Sequence, residues 1–336
     1  MKKGSNFSSD SGFNNRFARH PAIAIIILLF CLLVVVVAGL ELFLKTFSGL
    51  GNPVLYERSP LHGYRPKPHQ VIEPRGGFGF LYGARVTINN LGLRAAGGDW
   101  DDNPVGKILF LGDSVTYGGQ YVADEQLFSS VAGRHLPGRQ IGNGGVNAWG
   151  VGNIVGLVRD YGFSPAEIVV ICLIEGDFYR GITRIASVPF WTERPRFALQ
   201  DLLMHLVWRI NTSRYRGSGG AGVDEEQQNL IVERATKRLL ALEHYYQERG
   251  VRHFIFILPT REQVANGTPP DERVRNALAR HGIAARYLRA ELRAREPAPN
   301  RRRAWFHDEV HLEPAGHVVY GTLIGEILAR EIDSGS

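Results

Sequence analysis

The chain has 336 residues, 44% of them apolar, and a formal net charge of +6. That apolar share can build a core in one large domain or two small ones, which excludes a disordered chain. Basic residues are spread widely, with only short clusters such as Arg301 to Arg303, and no motif spacing of a nucleic-acid reader occurs. The charge therefore argues against nucleic acid as a partner and for a solvated basic surface suited to anionic lipid or acidic polysaccharide.

The first element is the run from Pro21 to Leu40, which has no charged residue. Twenty helical positions reach about 30 Å, the thickness of a bilayer core, so a transmembrane signal-anchor helix is expected over 21–42. Lys2, Lys3, Arg16 and Arg19 precede it against Asp10 alone, while Glu41 and Lys45 follow it. The positive-inside bias then puts residues 1–20 in the cytoplasm and the bulk of the chain outside. A cleaved signal peptide is the competing reading, since small residues lie near Ala38; the run is longer than an ordinary signal core and lacks an A-x-A-like site. Of the two cysteines, Cys31 lies in this run and Cys172 in a later apolar one. They read as packing residues that never meet as a disulfide.

Residues 43–105 are rich in Gly, Pro and aromatics, which predicts a linker and a small β-rich module. From 106 to 334 strands and helices alternate, the pattern of a mainly parallel sheet covered on both faces: a three-layer α/β/α domain. Strands are expected at "KILFLGD" from Lys107, near "RQIGN", at "EIVVICLIEGD" and "RHFIFILPT", with a weaker one near "AARYLRAEL". Helices are expected over Glu125 to Leu136, Gly150 to Tyr161, Glu225 to Glu248, Pro270 to His281 and after Glu313. Residues 180–228 break the alternation and read as an insertion. Its stretch "ALQDLLMHLVWRI" has apolar residues at helical spacing, either a packing face or a lid or membrane-contacting helix.

In "KILFLGDSVTYGGQ" a buried-type strand turns at Gly112 and Asp113 and sets Ser114 at the head of a helix. A serine hydroxyl is a weak nucleophile until a neighbouring base takes its proton. "WFHDEVHLEPAGH" holds a base, His311, with Asp308 spaced so that a carboxylate can hold its tautomer. That His311 lies 197 residues after Ser114 is no obstacle, because loops at the carboxyl ends of parallel strands converge. The plainer reading of Ser114 is a helix N-cap. Asp113 reads as a turn residue, and Glu175 and Asp177 as strand-end carboxylates that bond to loops. His307 and His311 stand four apart but lack the adjacent glutamate of a metalloprotease, so no metal site is expected, and the glycines of "GNGGVNAWGVG" miss the dinucleotide spacing.

Taken in order, "FLGDSVTYG", "NGGVNAWG" and "DEVHLEPAGH" resemble the SGNH, or GDSL-type, hydrolase superfamily over about Lys107 to Ile332. The resemblance implies a flavodoxin-like strand order, Ser114 as nucleophile, His311 as general base and acid, Asp308 as its orienting carboxylate, and no cofactor. It also implies oxyanion donors: the Ser114 backbone N–H and Gly145, the second glycine of "NGGV". The third block departs from the pattern. Where the family carries an asparagine amide, "LIEGDFYRG" has Gly176, and Asn147 is a candidate substitute. Loss of one such donor costs about 10²- to 10³-fold, so activity is expected to survive. The implied protein is a bacterial inner-membrane, single-pass serine esterase whose catalytic domain is periplasmic or extracellular. Its substrate would be an acetyl or short acyl ester such as one on a cell-surface polysaccharide. The alternatives are an O-acyltransferase with the same triad and an inactive glycan- or protein-binding domain.

Overall fold

A computed structural model describes residues 20–73, 83–161, 166–218 and 224–334. The basic residues of the expected cytoplasmic tail, part of the expected β-rich module and part of "GSGGAG" lie outside the described residues. Helix α1 (Pro21–Phe43) starts on a proline, whose fixed φ suits a first turn, and none of its side chains is buried. A π-helical turn (Leu44–Ser48) extends it until Gly49, at φ 72°, ends it. The helix is long and apolar enough to cross a membrane.

Four short strands follow. β1 (Tyr56–Ser59) pairs antiparallel with β2 (Gly63–Pro66), and β3 (Gln70–Ile72) with β4 (Val86–Ile88). Among the described residues they form no core of their own. Tyr56, Tyr64, Ile72, Val86 and Ile88 pack in one cluster with Leu109, Leu111, Val169 and Ile171 of the main sheet. The seam is backbone bonding: Arg94 N donates to Asn143 O (2.7 Å) and Asn143 N to Arg94 O (3.0 Å).

The main sheet has five parallel strands, β5 (Lys107–Gly112), β6 (Gln140–Gly145), β7 (Ile168–Leu173), β8 (Arg252–Ile257) and β9 (Ala285–Tyr287), in spatial order β6-β5-β7-β8-β9. This is the doubly wound order 2-1-3-4-5 in the sheet's own count. Every residue of β5 and of β7 is buried, as continuous apolar runs require when helices cover both faces. Successive side chains point to opposite faces, so Leu109 and Leu111 enter one cluster and Ile108 and Phe110 the other.

After β5 comes the single-turn helix α2 (Ser114–Tyr117), then α3 (Phe128–Gly133), α4 (Val151–Tyr161), α5 (Ala198–Ser218) and α6 (Glu225–Glu248). The remaining helices are α7 (Arg261–Ala265), α8 (Glu272–Arg280), α9 (Arg289–Arg295), α10 (Pro299–Arg303) and α11 (Pro314–Ser334). α4, α6 and α8 cover one face; α3, α9 and α11 cover the other. The three-layer α/β/α fold expected from the alternation is present. Two local expectations change, and two short helices appear where none was expected. The helix expected from Glu125 is a 3-10 turn and then α3, because Leu127 is extended between them (ψ 143°). The weak strand near Ala285 is three residues long and gives way to α9. α7 and α10, at five residues each, are too short to show a helical period.

Candidate active site

β5 delivers Ser114 to the carboxyl edge of the sheet, beside the reversal of strand order between β5 and β7, where folds of this layout hold ligands. The approach demands a glycine. A Cβ at Gly112 would lie 2.1 Å from Thr116 Oγ1 and 2.4 Å from Cys172 O. Asp113 is extended and caps α2, its Oδ1 accepting from Val115 N (2.8 Å). The cap is thus Asp113, and the hydroxyl of Ser114, the first helical residue, is left for another partner.

That partner is His311. Its Nε2 lies 2.8 Å from Ser114 Oγ, and its Nδ1 2.7 Å from Asp308 Oδ2. Asp308 Oδ1 accepts from the backbone N–H of Val310 and of His311, both at 2.9 Å, so a single aspartate shapes the loop and orients the ring. Bonds from His307 N to His311 O (2.8 Å), Glu313 N to Trp305 O (2.8 Å) and Tyr121 Oη to Leu312 O (3.0 Å) fix the loop at its ends. With Nδ1–H donated to Asp308, Nε2 is the acceptor for the serine proton.

The electrostatics suit that direction of transfer. Burial works to lower the His311 pKa, but the hydrogen bond and charge of Asp308, joined by the charge of Asp113, raise it above 6.5. Partial burial works to raise Asp308; the bonds from the His311 ring and backbone outweigh it and hold the carboxyl well below the usual range.

The other donors named from the sequence fall differently. Gly145 has no spare N–H, because it already donates to Asn143 Oδ1 (2.9 Å). Its lack of a side chain serves packing, since a Cβ there would lie 2.4 Å from Tyr117 N. Asn147 turns its amide toward Tyr56 Oη (3.5 Å) in a cavity of ≈ 150 Å³ that Gln120 and Trp191 also line. The uncommitted donor of this turn is one residue on. Ala148 sits at φ 62°, a left-handed conformation uncommon without glycine, and its N–H finds no acceptor among the described residues, nor does that of Ser114. Nothing in "NGGVNAWG" singles out Ala148, because only the dihedral reveals it.

Around the serine, Asp113 and Asp177 are buried and share Arg180, whose Nη1 donates to Asp113 Oδ2 (3.0 Å), Asp177 Oδ1 (2.7 Å) and Trp149 O (3.0 Å). Burial and the charge of Asp113 push the Asp177 carboxyl up. Glu175 accepts from Gln263 Nε2 (2.6 Å) and Asp271 N (2.8 Å), tying the starts of α7 and α8 to β7. His307 stacks on Tyr121 with Nδ1 2.8 Å from Glu313 Oε1, so it and His311 serve different partners. Among the described residues no cluster of three His, Cys, Asp or Glu side chains could hold a metal.

No protein-family profile matches the chain, and no curated protein matches it. Solved structures that it matches include lipolytic G-D-S-L proteins and acetyl xylan esterases. A G-D-S-L lipolytic protein from Veillonella parvula is 14% identical over 67% of this chain and 98% of its own, with a TM-score of 0.39. The acetyl xylan esterase AlAXEase is 13% identical over 66% of this chain and 98% of its own (TM-score 0.40). An acetylxylan esterase from Geobacillus stearothermophilus is 13% identical over 68% of this chain and 94% of its own (TM-score 0.39).

Proposed function

We propose that the protein is a serine ester hydrolase with Ser114 as nucleophile, His311 as general base and acid, and Asp308 as the carboxylate that orients it. The observation that carries this reading is the continuous chain Ser114 Oγ, His311 Nε2 and Nδ1, Asp308 Oδ2, with links of 2.8 and 2.7 Å, at the carboxyl edge of the sheet. Three groups with three complementary roles in one line exceed what packing or capping asks of them.

The reaction follows from the contacts. Ser114 Oγ attacks the ester carbonyl carbon as its proton passes to His311 Nε2, and the carbonyl π electrons move onto oxygen. The backbone N–H groups of Ser114 and Ala148 donate to that oxyanion. Collapse breaks the bond to the leaving alkoxide, which takes the proton back from His311, and Ser114 is left acylated. Water then repeats the sequence, losing its proton to His311 and releasing the carboxylic acid. The His311 side chain is 31% exposed and that of Asp308 51%, so the site is open at its rim and admits an ester carried on a bulky molecule. An acetyl or short acyl group on a cell-surface polysaccharide fits that openness and the sequence resemblance.

The same reading treats α1 as a single-pass anchor in a bacterial inner membrane, with residues 1–20 inside and the domain over 106–334 outside, together with the small strands that share its core. α1 also meets the insertion directly: Glu41 accepts from Ala198 N (2.7 Å) and Leu199 N (3.0 Å), capping α5. Past that cap α5 exposes Leu203, Leu206, Val207 and Ile210, the i, i+3, i+4, i+7 stripe of a helix resting on a membrane surface.

The test is turnover of a chromogenic acetate ester by the detergent-solubilised full chain. Ser114→Ala and His311→Ala should each lower kcat by at least about 10⁴-fold and abolish labelling by a serine-reactive phosphonate. Wild-type protein that neither turns over esters nor is labelled at Ser114 would leave a binding domain. Acyl transfer to an added sugar hydroxyl in preference to water would make the protein an O-acyltransferase.

A further inference from the structure

Three loops of the site converge on one guanidinium. Arg180 Nη1 bonds to Asp113, the neighbour of Ser114; to the carbonyl of Trp149, the neighbour of Ala148; and to Asp177, the neighbour of Gly176. Asp113 Oδ2, which accepts from Arg180, is itself 3.5 Å from Ser114 Oγ. All three bonds come from a single nitrogen. Nε and Nη2 of Arg180 find no acceptor among the described residues, and the side chain is 33% exposed.

Position 176 makes the second observation. A Cβ built on Gly176 would stand 3.9 Å from Arg180 Nη2, with its nearest neighbour, Ile174 Cδ1, at 3.6 Å. Nη2 thus stands in van der Waals contact with the point from which a side chain at 176 would start. That is the point from which the sequence resemblance would have an asparagine amide reach the oxyanion, and glycine leaves it open to a side chain from one turn further along.

We propose that Arg180 Nη2 is the third oxyanion donor of this site, in place of a side-chain amide at position 176. The inference rests on the reading of Ser114 as nucleophile. Two carboxylates that are 1% and 0% exposed, Asp113 and Asp177, hold the guanidinium by its other nitrogen, so the donor is in position before charge develops. A charged donor also forms a shorter, stronger bond to an oxyanion than a neutral amide does. The tetrahedral oxygen therefore meets two backbone N–H groups and one guanidinium N–H, each contributed by a different strand-end loop.

The experiment uses the full chain in detergent, the chromogenic acetate and the phosphonate probe. Arg180→Lys keeps a cation beside Asp113 and Asp177 but has one nitrogen, which cannot both hold them and face the oxyanion. The expected result is a kcat and a phosphonylation rate about 10²- to 10³-fold lower, with KM, melting temperature and the acid limb of the pH–rate profile close to wild type. Adding Gly176→Asn, whose Cβ would meet nothing nearer than 3.6 Å, should then recover kcat by at least about ten-fold. An Arg180→Lys protein within about three-fold of wild-type kcat would overturn the proposal. So would a loss accompanied by a displaced acid limb and no recovery in the double variant, the mark of a residue that only positions Asp113. A wild-type protein inert to ester and probe removes the nucleophile reading itself, a result distinct from either.

Discussion

At the site one imidazole has two nitrogens with different tasks, and a single aspartate assigns them. Because Asp308 raises His311 above 6.5, the base form needed for attack dominates only at higher pH, and acylation should climb through that raised value. The shift is also a stability statement. The contribution of His311 is full below its unfolded pKa and is lost as pH rises through the folded one; that of Asp308, whose pKa is depressed, is present above 3.8 and is lost only in strong acid. Asp308→Asn removes the charge and favours the wrong tautomer. Its acid limb should move to lower pH while kcat drops on the order of 10³- to 10⁴-fold, which a pH series of ester turnover measures; an unmoved limb would show that Asp308 does not set the ring's pKa. The identities of these residues were legible because Gly-Asp-Ser after a strand and Asp-x-x-His near the end are local patterns. Ala148 was not legible, since a left-handed alanine looks like any other alanine in a sequence.

Among the elements, the loop between α2 and α3 depends on a residue far from the reaction. Arg94 is fully buried; it donates through Nε to Asp124 Oδ1 (2.8 Å) and through its terminal nitrogens to the carbonyls of Tyr117 (2.8 Å), Gly119 and Val122 (2.5 Å). One guanidinium thus satisfies three carbonyls that no helix or strand claims and binds the small N-terminal strands to the segment that follows Ser114. Arg94→Ala would leave Asp124 and those carbonyls short of partners, at a cost of roughly 3–5 kcal/mol, visible as a lower urea midpoint. A change under about 1 kcal/mol would mean that water replaces the arginine. The long strands and α6 could be read because each spans at least one full period of burial. The break at Leu127 could not, because the next residue, Phe128, gives its N–H to His317 Nδ1 of α11 (3.0 Å), a partner that local propensity does not name.

For the whole molecule the decisive junction is between α1 and α5. Glu41 caps α5, Asp201 of α5 accepts from Gly51 N (3.0 Å) and Trp191 Nε1 (2.7 Å), and Leu44, Leu50 and Ala198 form a small cluster beside them. If α1 is an anchor, the full chain should stay with membranes through carbonate extraction and retain its N-terminal segment. Deletion of residues 1–40, which keeps Glu41 as the cap of α5, should release it while ester turnover persists. A mature N-terminus near Gly39 would instead mark α1 as a cleaved leader.

Sequence alone determined the layer architecture, the apolar first helix and the identity of a serine, a histidine and an aspartate with complementary chemistry. Each rests on residue type and short-range period, which a linear pattern carries in full. Tertiary structure alone decided that Asp113 rather than Ser114 caps α2, that Gly145 is spent on Asn143 while Ala148 keeps a donor, and that Arg180 stands in the space beside Gly176. Those outcomes depend on which groups from separate loops compete for the same hydrogen bond, and that competition exists only once the strands have brought their ends to one edge.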